Sequence, residues 1–528
     1  MSSRPTDSVV RILLLLAAFS LSAPGTLLGQ GATAQVAQLV TKAGNLSRAG
    51  DFTGAADLYR QAISINPTDP MLHFYLGLAY ENNGSYADAA KAYDAAIASQ
   101  EPKKTLPTVL LANLYLHSAI AALMTNQLDK ANAQVDKALQ WTSDNADALS
   151  TKGNILDLQG HLDQAIDYDR KAFAKNPKSS TTAQGLASVL LRKGNANEAV
   201  QVTETALLWN GNDADLLGTY ANALLAANRP GDAETGYKRS LAARPDNAPV
   251  LYNLADALRR QKKFSEALPL LQKAHTIAPD DPDITLSLGS LLVEMGQTAE
   301  AYPYLTSARN SGKYDALSSY AMANALQRDG RPQEALNFVQ DALRSKPDFP
   351  AAQALEVVVL LDMDHLQEAT DILNPATTAH PESAELKNSA GLLALRQQDY
   401  RQAEVYFQHA LALKPDYNDA LVNHGISVVL LKRPADALPA FKQALQADPR
   451  NLKARANYAQ CLFELRRYPE AADEYANAIQ LAPNDASLHS NRALALEKAG
   501  HTEEAKKEFA EANQLNAAAK ASRTSSSN

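Results

Sequence analysis

Cysteine is almost absent from this chain, which has a single Cys461 in 528 residues. One cysteine excludes an internal disulfide, and no C-x-x-C pair is available for a metal centre or a redox site. Cys461 falls on the apolar face of a segment with helical spacing. Thiols in apolar surroundings are usually inert, so the sequence predicts a buried structural thiol and not a nucleophile.

Catalytic signatures are missing as well. The chain has no G-x-x-x-x-G-K-[ST] phosphate loop, no H-E-x-x-H zinc motif and no G-x-S-x-G nucleophile turn. Its ten histidines lack ligand spacing, and His117, His161 and His424 are predicted to serve packing or the surface. The acidic residues fall in turns and on polar helix faces. We therefore predict no enzymatic activity, no catalytic residues, no cofactor and no metal site.

Long basic runs are absent too, and the formal net charge is −8. Proteins that bind nucleic acid present clustered lysine and arginine to the phosphates, so nucleic acid is not an expected partner. Aromatic residues make up only 6% of the chain, and alanine supplies much of its apolar content. The partner we expect is a protein or a peptide.

An uninterrupted apolar run occurs near the start of the chain. Arg4 and Arg11 precede the apolar residues 12–19, and the triplet Ala-Thr-Ala at 32–34 follows. This order is typical of a secretory signal peptide. We therefore predict that residues 1–34 are a cleaved signal and that the protein is exported.

The same segment bears on where the exported protein resides and on the alternative to a cleaved signal. An exported chain without disulfides suits the periplasm or a secreted location, most naturally in a bacterial envelope. The alternative is an uncleaved membrane anchor that runs to Leu28, and this is the only membrane association we expect. The apolar run is short for a membrane span, and Pro24 follows it.

A 34-residue period organises the rest of the chain. Residues 316–349 define the unit, and fourteen copies of it can be aligned. Position 27 is alanine in every copy except one, where Ser240 replaces it. Position 20 is alanine in all fourteen copies: Ala55, Ala89, Ala131, Ala165, Ala199, Ala233, Ala267, Ala301, Ala335, Ala369, Ala403, Ala437, Ala471 and Ala505. A fixed period of this length indicates a repeat architecture.

The period divides the chain into segments. Copies 1 and 2 occupy residues 36–103, an insertion or joint occupies 104–111, and copies 3 to 14 occupy 112–519. Residues 520–528 are predicted to be a disordered polar tail. The insertion is either a joint between a two-repeat head and a twelve-repeat body or a tolerated surface insertion. We predict that the first helix of copy 3 is lengthened and runs from about 107 to 125.

Each copy is predicted to form two helices. Apolar residues recur at helical spacing in both halves, a turn with Gly, Asn or Asp separates them, and a proline near the end of most copies stops the second helix. Positions 8, 20 and 27 are small in nearly every copy, with Val357 at position 8 as an exception, and this lets the helices approach closely. One helix pair cannot bury its own apolar face, so neighbouring pairs must stack.

This pattern resembles the tetratricopeptide repeat family. The second copy reads His73-x-x-Leu76-Gly77-x-x-Tyr80, followed by Ala89-x-x-x-Tyr93 and Ala96, with His73 in the place of the family's tryptophan. The resemblance covers residues 36–519. It implies an all-α fold, a right-handed superhelical solenoid of about fourteen helix-turn-helix repeats.

The resemblance also indicates where a partner would bind. In the family, positions 2, 5, 6, 9, 12 and 13 of the first helix line a concave groove. The candidate peptide-binding residues are Asn253, Asn423, Asn457 and Asn491 at position 6, Tyr252 and Tyr320 at position 5, and Arg192, Arg260, Arg328 and Arg396 at position 13.

Each group of candidates has a functional and a structural interpretation. The asparagines resemble the asparagine ladder of O-linked N-acetylglucosamine transferases, whose amides pair with a peptide backbone, or they serve packing. The arginines provide a basic stripe, or they complement the negative end of the helix dipole. The tyrosines are aromatic anchors or core residues.

The predicted function is that of a non-enzymatic scaffold or adaptor. We expect it to hold an extended peptide or a partner helix in the groove of the solenoid. The alternative is a structural component of an envelope secretion or exopolysaccharide-export assembly. Chaperone-binding members of the family place lysine at position 5, and no copy here does so, so that mode is not expected.

Overall fold

The computed structural model describes residues 30–100, 106–313 and 315–525. Within these ranges every regular element is an α-helix. The chain divides into two compact units, Met1–Ile277 and Ala278–Asn528. Most of the predicted signal peptide, residues 1–29, lies outside the described ranges. Among the described residues, no helix has the length and apolar character needed to cross a membrane.

The first unit contains repeats 1 to 7, each a pair of antiparallel neighbours. Its helices are α1 Gln30–Ala49, α2 Phe52–Ile65, α3 Pro70–Asn82, α4 Tyr86–Gln100, α5 Thr108–Met124, α6 Leu128–Trp141, α7 Ala146–Leu158, α8 Leu162–Lys175, α9 Ser180–Arg192, α10 Ala196–Leu207, α11 Ala214–Ala226, α12 Pro230–Ala243, α13 Ala248–Arg260 and α14 Phe264–Ile277.

The second unit contains repeats 8 to 14. Its helices are α15 Pro282–Glu294, α16 Thr298–Asn310, α17 Asp315–Arg328, α18 Pro332–Ser345, α19 Pro350–Asp362, α20 Leu366–Ala379, α21 Ala384–Arg396, α22 Tyr400–Leu413, α23 Asn418–Leu430, α24 Pro434–Ala447, α25 Leu452–Glu464, α26 Tyr468–Leu481, α27 Ala486–Lys498 and α28 Thr502–Ser525. The predicted all-α repeat of helix pairs is confirmed in both units, with the first helix of each repeat odd-numbered and the second even-numbered.

A left-handed residue follows the first helix of every repeat. Position 15 has a positive φ in all fourteen copies, between 58° and 89°. Seven of these residues are glycines, such as Gly330, and seven carry a side chain, such as Lys432 and Arg466. Glycine enters this region without a steric penalty, whereas other residues are strained by about 1 kcal/mol. The turn is therefore present in all copies, although glycine marks it in only half of them.

The alanine columns lie where helices approach one another. The alanines at position 20 are fully buried in thirteen copies, and Ala505 in the last copy is 2% exposed. Ser240, the one exception at position 27, is also buried, and its hydroxyl donates a hydrogen bond of 2.7 Å to the carbonyl of Ala214. The predicted role of the small residues is confirmed.

Position 24 is filled by a large apolar side chain in most copies, but repeat 4 has a carboxylate there. Asp169 is only 1% exposed, and neither of its carboxylate oxygens meets a hydrogen-bond donor. It packs against Gly153 at position 8. Burial, assisted by the charge of Asp157, raises the pKa of Asp169 to about 7. Repeat 4 therefore carries an unsatisfied polar group in its core.

The repeat stack continues across the insertion. Helix α5, Thr108–Met124, matches the lengthened helix that we predicted from about 107 to 125, and it packs on α4. Partly buried Glu81 accepts a hydrogen bond of 2.6 Å from the Tyr93 hydroxyl and lies 3.1 Å from Nδ1 of His117. Part of the insertion, residues 101–105, lies outside the described ranges.

The two remaining sequence features are a thiol and the end of the chain. Cys461 is buried, and burial raises the pKa of its thiol to about 12, so the prediction of a structural thiol is confirmed. Helix α28 continues to Ser525, where a disordered tail was expected for 520–528. Alanine and lysine in this segment are strong helix formers. Residues 526–528 lie outside the described ranges.

Candidate partner-binding surface

The first helices form a continuous layer within each unit. In the second unit α15 contacts α17, and the same contact recurs along the series through α19, α21, α23 and α25. The second helices pack mainly on first helices. Closer spacing on one side curves a stack toward that side, so the first helices supply the inner face. We use inner face for positions 2, 5, 6, 9, 12 and 13 of these helices.

The asparagine of repeat 7 is used in packing between repeats. The amide of Asn253 donates to Oδ1 of Asn222 in repeat 6 over 2.9 Å, and the Tyr237 hydroxyl donates to the same oxygen over 2.7 Å. Asn253 is partly buried, so one of its two N–H groups is already committed. The packing interpretation has direct support here, and a role in peptide binding stays a prediction.

The three successive asparagines of repeats 12 to 14 differ from one another. Asn423 is buried, donates to Oδ1 of Asn388 over 3.1 Å and accepts from the Lys453 ammonium over 3.3 Å. Asn457 donates to the carbonyl of Lys453 in its own helix over 2.7 Å. Asn491 is partly buried. They do not bond to each other, so any ladder would be formed only with a bound peptide.

The four arginines each end a first helix, and all have partners. Arg192 pairs with Asp157 of the preceding repeat. Arg260 contacts Asp256 at 2.9 Å, and Arg396 contacts Asp362 at 3.7 Å. Arg328 instead donates to Oδ1 of Asn324 over 3.0 Å and to the carbonyl of Val293 over 3.2 Å. Three guanidinium groups are locally neutralised, and the helix ends agree with the dipole interpretation.

The two tyrosines are partly buried on the inner face. The ring of Tyr320 lies 5.1 Å from that of Phe349, centroid to centroid, with the rings tilted by 52°. This geometry is favourable for aromatic pairs. Burial raises the pKa of Tyr320, with smaller contributions from the carboxylates of Glu385 and Asp419. Tyr320 is therefore part of a larger cluster, whereas no aromatic neighbour within the described residues is found for Tyr252.

Phe349 and Tyr417 occupy an unusual place. Position 34 normally supplies the N-cap of the next first helix, because a short polar side chain there accepts from exposed backbone N–H groups. Nine residues at this position do so: Asp69, Asn145, Ser179, Asp213, Asn247, Asp281, Ser383, Asn451 and Asp485. Phe349 and Tyr417 make no such bond. An N-cap contributes about 1 kcal/mol, which these two repeats forgo.

Charged side chains surround these rings. The Lys414 ammonium lies 5.0 Å from the centre of the Tyr417 ring and 3.7 Å from Oε1 of Glu385. Burial raises the pKa of Tyr417, and Asp419, Glu385 and Tyr320 raise it further. We call Tyr320, Phe349, Tyr417, Glu385 and Asp419 the Tyr320 cluster. Of these five residues only Tyr320 was predicted from the sequence, although the interruption of the Asp/Asn/Ser column at position 34 is visible there.

Large apolar side chains also remain exposed on the inner face. In the first unit they are Met124 and Leu158, and Leu158 is 62% exposed. In the second unit they are Leu317, Leu430 and Leu494, with exposures of 40–43%. All five lie at groove positions of the family pattern. Among the described residues no group of His, Cys, Asp or Glu could hold a metal ion.

The family of the chain follows from its matches to models of known protein families. Three models described as tetratricopeptide repeat and one described as TPR repeat match it. The matched residues are 41–102, 158–223, 220–282, 258–324, 326–393, 384–417, 429–476 and 459–500. The chain belongs to the tetratricopeptide repeat family. Tetratricopeptide repeats typically mediate protein–protein interactions and are typically non-enzymatic scaffolds, which supports a protein-binding scaffold here.

Two solved structures are similar to this tetratricopeptide repeat chain. One is a chain from the crystal structure of the APC/C hetero-tetramer Cut9–Hcn1, with 16% identity and a TM-score of 0.45, covering 91% of this chain and 94% of that one. The other is yeast Tom70, with 15% identity and a TM-score of 0.40, covering 83% of this chain and 95% of that one. No curated protein sequence matches this chain.

Proposed function

We propose that this tetratricopeptide repeat protein is a non-enzymatic adaptor that binds an extended peptide or a helix of a partner protein along its inner face. The observation that carries this proposal is the exposure of large apolar side chains at groove positions, such as Leu317, Leu430 and Leu494. Burial of such side chains by a partner stabilises the complex, because apolar surface is removed from water.

Polar groups beside these side chains supply the specificity in this proposal. Asn491 and Asn457 offer amides that can donate to or accept from a peptide backbone. Tyr252 and Tyr320 offer partly exposed rings. The arginines at position 13 contribute less than a free basic stripe would, because Asp157, Asp256 and Asp362 neutralise three of them.

The location is part of the same proposal. The signal-like order of residues 1–34 supports export to the periplasm or beyond the cell. Mass spectrometry of the protein from cell fractions tests this, because the mature chain would begin at Gln35. A chain that retains residues 1–34 in the membrane fraction would favour the anchor, and one that retains them in the cytosol would refute export.

Photo-crosslinking tests the binding face. A crosslinking amino acid replaces Leu317 or Leu494 on the inner face, and matched variants carry it at Leu208 or Val405, which are exposed at and near second helices. We expect the same partner protein to be captured from both inner positions and from neither outer position. Capture only from the outer positions would refute the groove proposal.

The identity of the captured protein separates the two functional hypotheses. A soluble partner whose crosslink maps to one short segment supports the peptide-binding adaptor. Capture of pore or polysaccharide-synthase subunits over broad surfaces supports the structural component of an export assembly. A triple variant Asn423/Asn457/Asn491→Ala that keeps its melting temperature then tests whether the amides contribute to capture.

A further inference from the structure

The Tyr320 cluster departs from the local rule that nine other repeats follow at position 34. Nine residues at position 34 cap the next helix, whereas Phe349 and Tyr417 place large rings there and leave the helix ends uncapped. Positions where a sequence breaks its own local pattern are expected at functional sites. The two rings are two repeats apart. Tyr320 contacts Phe349, and the Lys414 ammonium lies between the Tyr417 ring and Glu385.

The chemistry of the cluster suits a cation. Glu385 and Asp419 both lie at position 2 of neighbouring first helices. Asp419 is exposed, and within the described residues it has no ion-pair partner. Aromatic faces attract ammonium and guanidinium groups within about 6 Å of the ring centroid. Rings and carboxylates together therefore recognise a positive charge better than either does alone.

The chain's own lysines already show this preference. The Lys346 ammonium lies 5.1 Å from the Phe349 ring centroid, and the Lys414 ammonium lies 5.0 Å from that of Tyr417. Both lysines are exposed and sit three residues before the ring that they cover, at position 31 of their repeats. An exposed side chain on a flexible stem can be displaced by a partner's cation. The arginines at position 13 of the same two repeats, Arg328 and Arg396, are occupied by other acceptors.

We infer that the Tyr320 cluster receives a lysine or arginine side chain of the bound partner segment, which lies over the rings and beside Glu385 and Asp419. This inference rests on the proposed binding of a peptide along the inner face. It defines the partner segment as one with a basic residue flanked by apolar residues, since exposed Leu317 and Leu430 lie on the first helices of repeats 9 and 12.

A displayed library of random 12-residue peptides tests the inference on the full-length chain. We expect the selected peptides to be enriched in lysine or arginine. Replacing that residue with methionine in a synthetic copy should weaken binding to the wild type about tenfold, as measured by fluorescence anisotropy. The same replacement should have little effect on binding to the double variant Glu385→Gln/Asp419→Asn.

A matched charge control is Glu382→Gln/Asp473→Asn, which alters two exposed carboxylates by the same total charge. This variant should retain the preference for the basic residue. If it loses the preference as fully as the Glu385/Asp419 variant does, the effect is long-range electrostatics and the inference is overturned. Adding salt should weaken the control and the wild type equally.

A second variant separates binding from folding. Tyr417→Asn removes the ring but restores a capping side chain at the start of α23, so the melting temperature should be retained while the basic preference is lost. Retention of the basic preference in this variant would overturn the inference.

The remaining outcomes are distinguishable from the failure of the proposed function. Selected peptides without lysine or arginine enrichment, whose binding still depends on Leu317 and Leu494, would overturn the cation site and leave the groove proposal standing. Failure to select any peptide whose binding depends on the inner face would overturn both.

Discussion

Gly391 of α21 lies directly against the ring of Phe407 on α22. A Cβ atom added at Gly391 would stand 2.4 Å from Cε1 of Phe407, which is far inside van der Waals contact. The same relationship joins Gly77 to Tyr93 and Gly425 to Phe441. In these repeats a missing side chain on the first helix makes room for an aromatic ring on the second.

The first prediction concerns this contact. Gly391→Ala should destabilise repeat 11 by about 1–3 kcal/mol, because the buried Phe407 ring cannot move without disturbing its neighbours. Gly185→Ala is the control, since the nearest atom to its added Cβ is Oδ1 of Asn154 at 3.8 Å. That substitution should stabilise α9 by up to about 1 kcal/mol through helix propensity. Urea unfolding would check both signs.

The second prediction concerns the alanine column at position 20. Ala335→Leu or Ala437→Leu should destabilise the protein by about 1–3 kcal/mol, because both side chains are fully buried between helices. Ala435→Leu provides the control, as Ala435 is exposed on the same helix two residues earlier. Thermal melts in which Ala437→Leu and Ala435→Leu behave alike would contradict the spacing argument.

The third prediction concerns Asp169, whose ionised form the folded state disfavours. Its pKa is raised to about 7. The loss of folding stability that its ionisation causes is therefore absent below about pH 4, grows between pH 4 and 7, and is complete above about pH 7. The full penalty is roughly 4 kcal/mol. Asp169→Leu should remove it, because repeat 8 already pairs Gly289 with Leu305 at the same two positions.

Hydrogen exchange of α7 and α8 measures this effect locally, which matters because repeat proteins do not unfold as one unit. We expect the protection gained by Asp169→Leu to be larger at pH 8 than at pH 5. Asp167→Leu, on the exposed face of the same helix, should leave protection nearly unchanged at both values. Equal gains for Asp169→Leu at both pH values would refute the assignment.

The fourth prediction concerns the largely buried pair Glu81 and His117, whose side chains are 14% and 11% exposed. Burial opposes both charges, but their mutual attraction and hydrogen bonds prevail, so the pKa of His117 is raised and that of Glu81 is lowered. The stabilisation of the folded state by protonated His117 is complete below the ordinary histidine pKa of 6.5, and it is lost as pH rises through the raised pKa. The stabilisation of the folded state by ionised Glu81 is complete above the ordinary glutamate pKa of 4.5, and it is lost as pH falls through the lowered pKa.

The pair therefore stabilises the protein most between about pH 4.5 and 6.5. In that window His117→Gln should destabilise repeats 2 and 3 by roughly 3–5 kcal/mol, because it leaves the Glu81 carboxylate buried without its cation. The loss should shrink at pH 9. His161→Gln serves as the control, since His161 is exposed and its side chain makes no capping bond. A pH-independent loss for His117→Gln would count against the ion pair.

Much of the fold could be predicted from the sequence because the informative contacts are local. Ala335 meets its neighbours within one helix pair or the next, so its constraint recurs every 34 residues and is visible as a column. The turns after the first helix were less visible, since Lys432 and Arg466 adopt the left-handed conformation without glycine. Packing on both sides over-determines that conformation and outweighs local preference.

The candidate site was only partly predictable, because polar side chains choose partners in space. The column of asparagines identifies Asn423. It does not reveal that Asn423 is buried and hydrogen-bonded to Asn388, which lies at a different position of its repeat. The arginine column indicates positive charge, but not the carboxylates that neutralise it. Residue identity alone therefore established the repeat, its register and the positions at which small residues let the helices approach. Whether a given polar group faces solvent, a partner repeat or the core, as Asp169 does, depended on packing between helices distant in the chain.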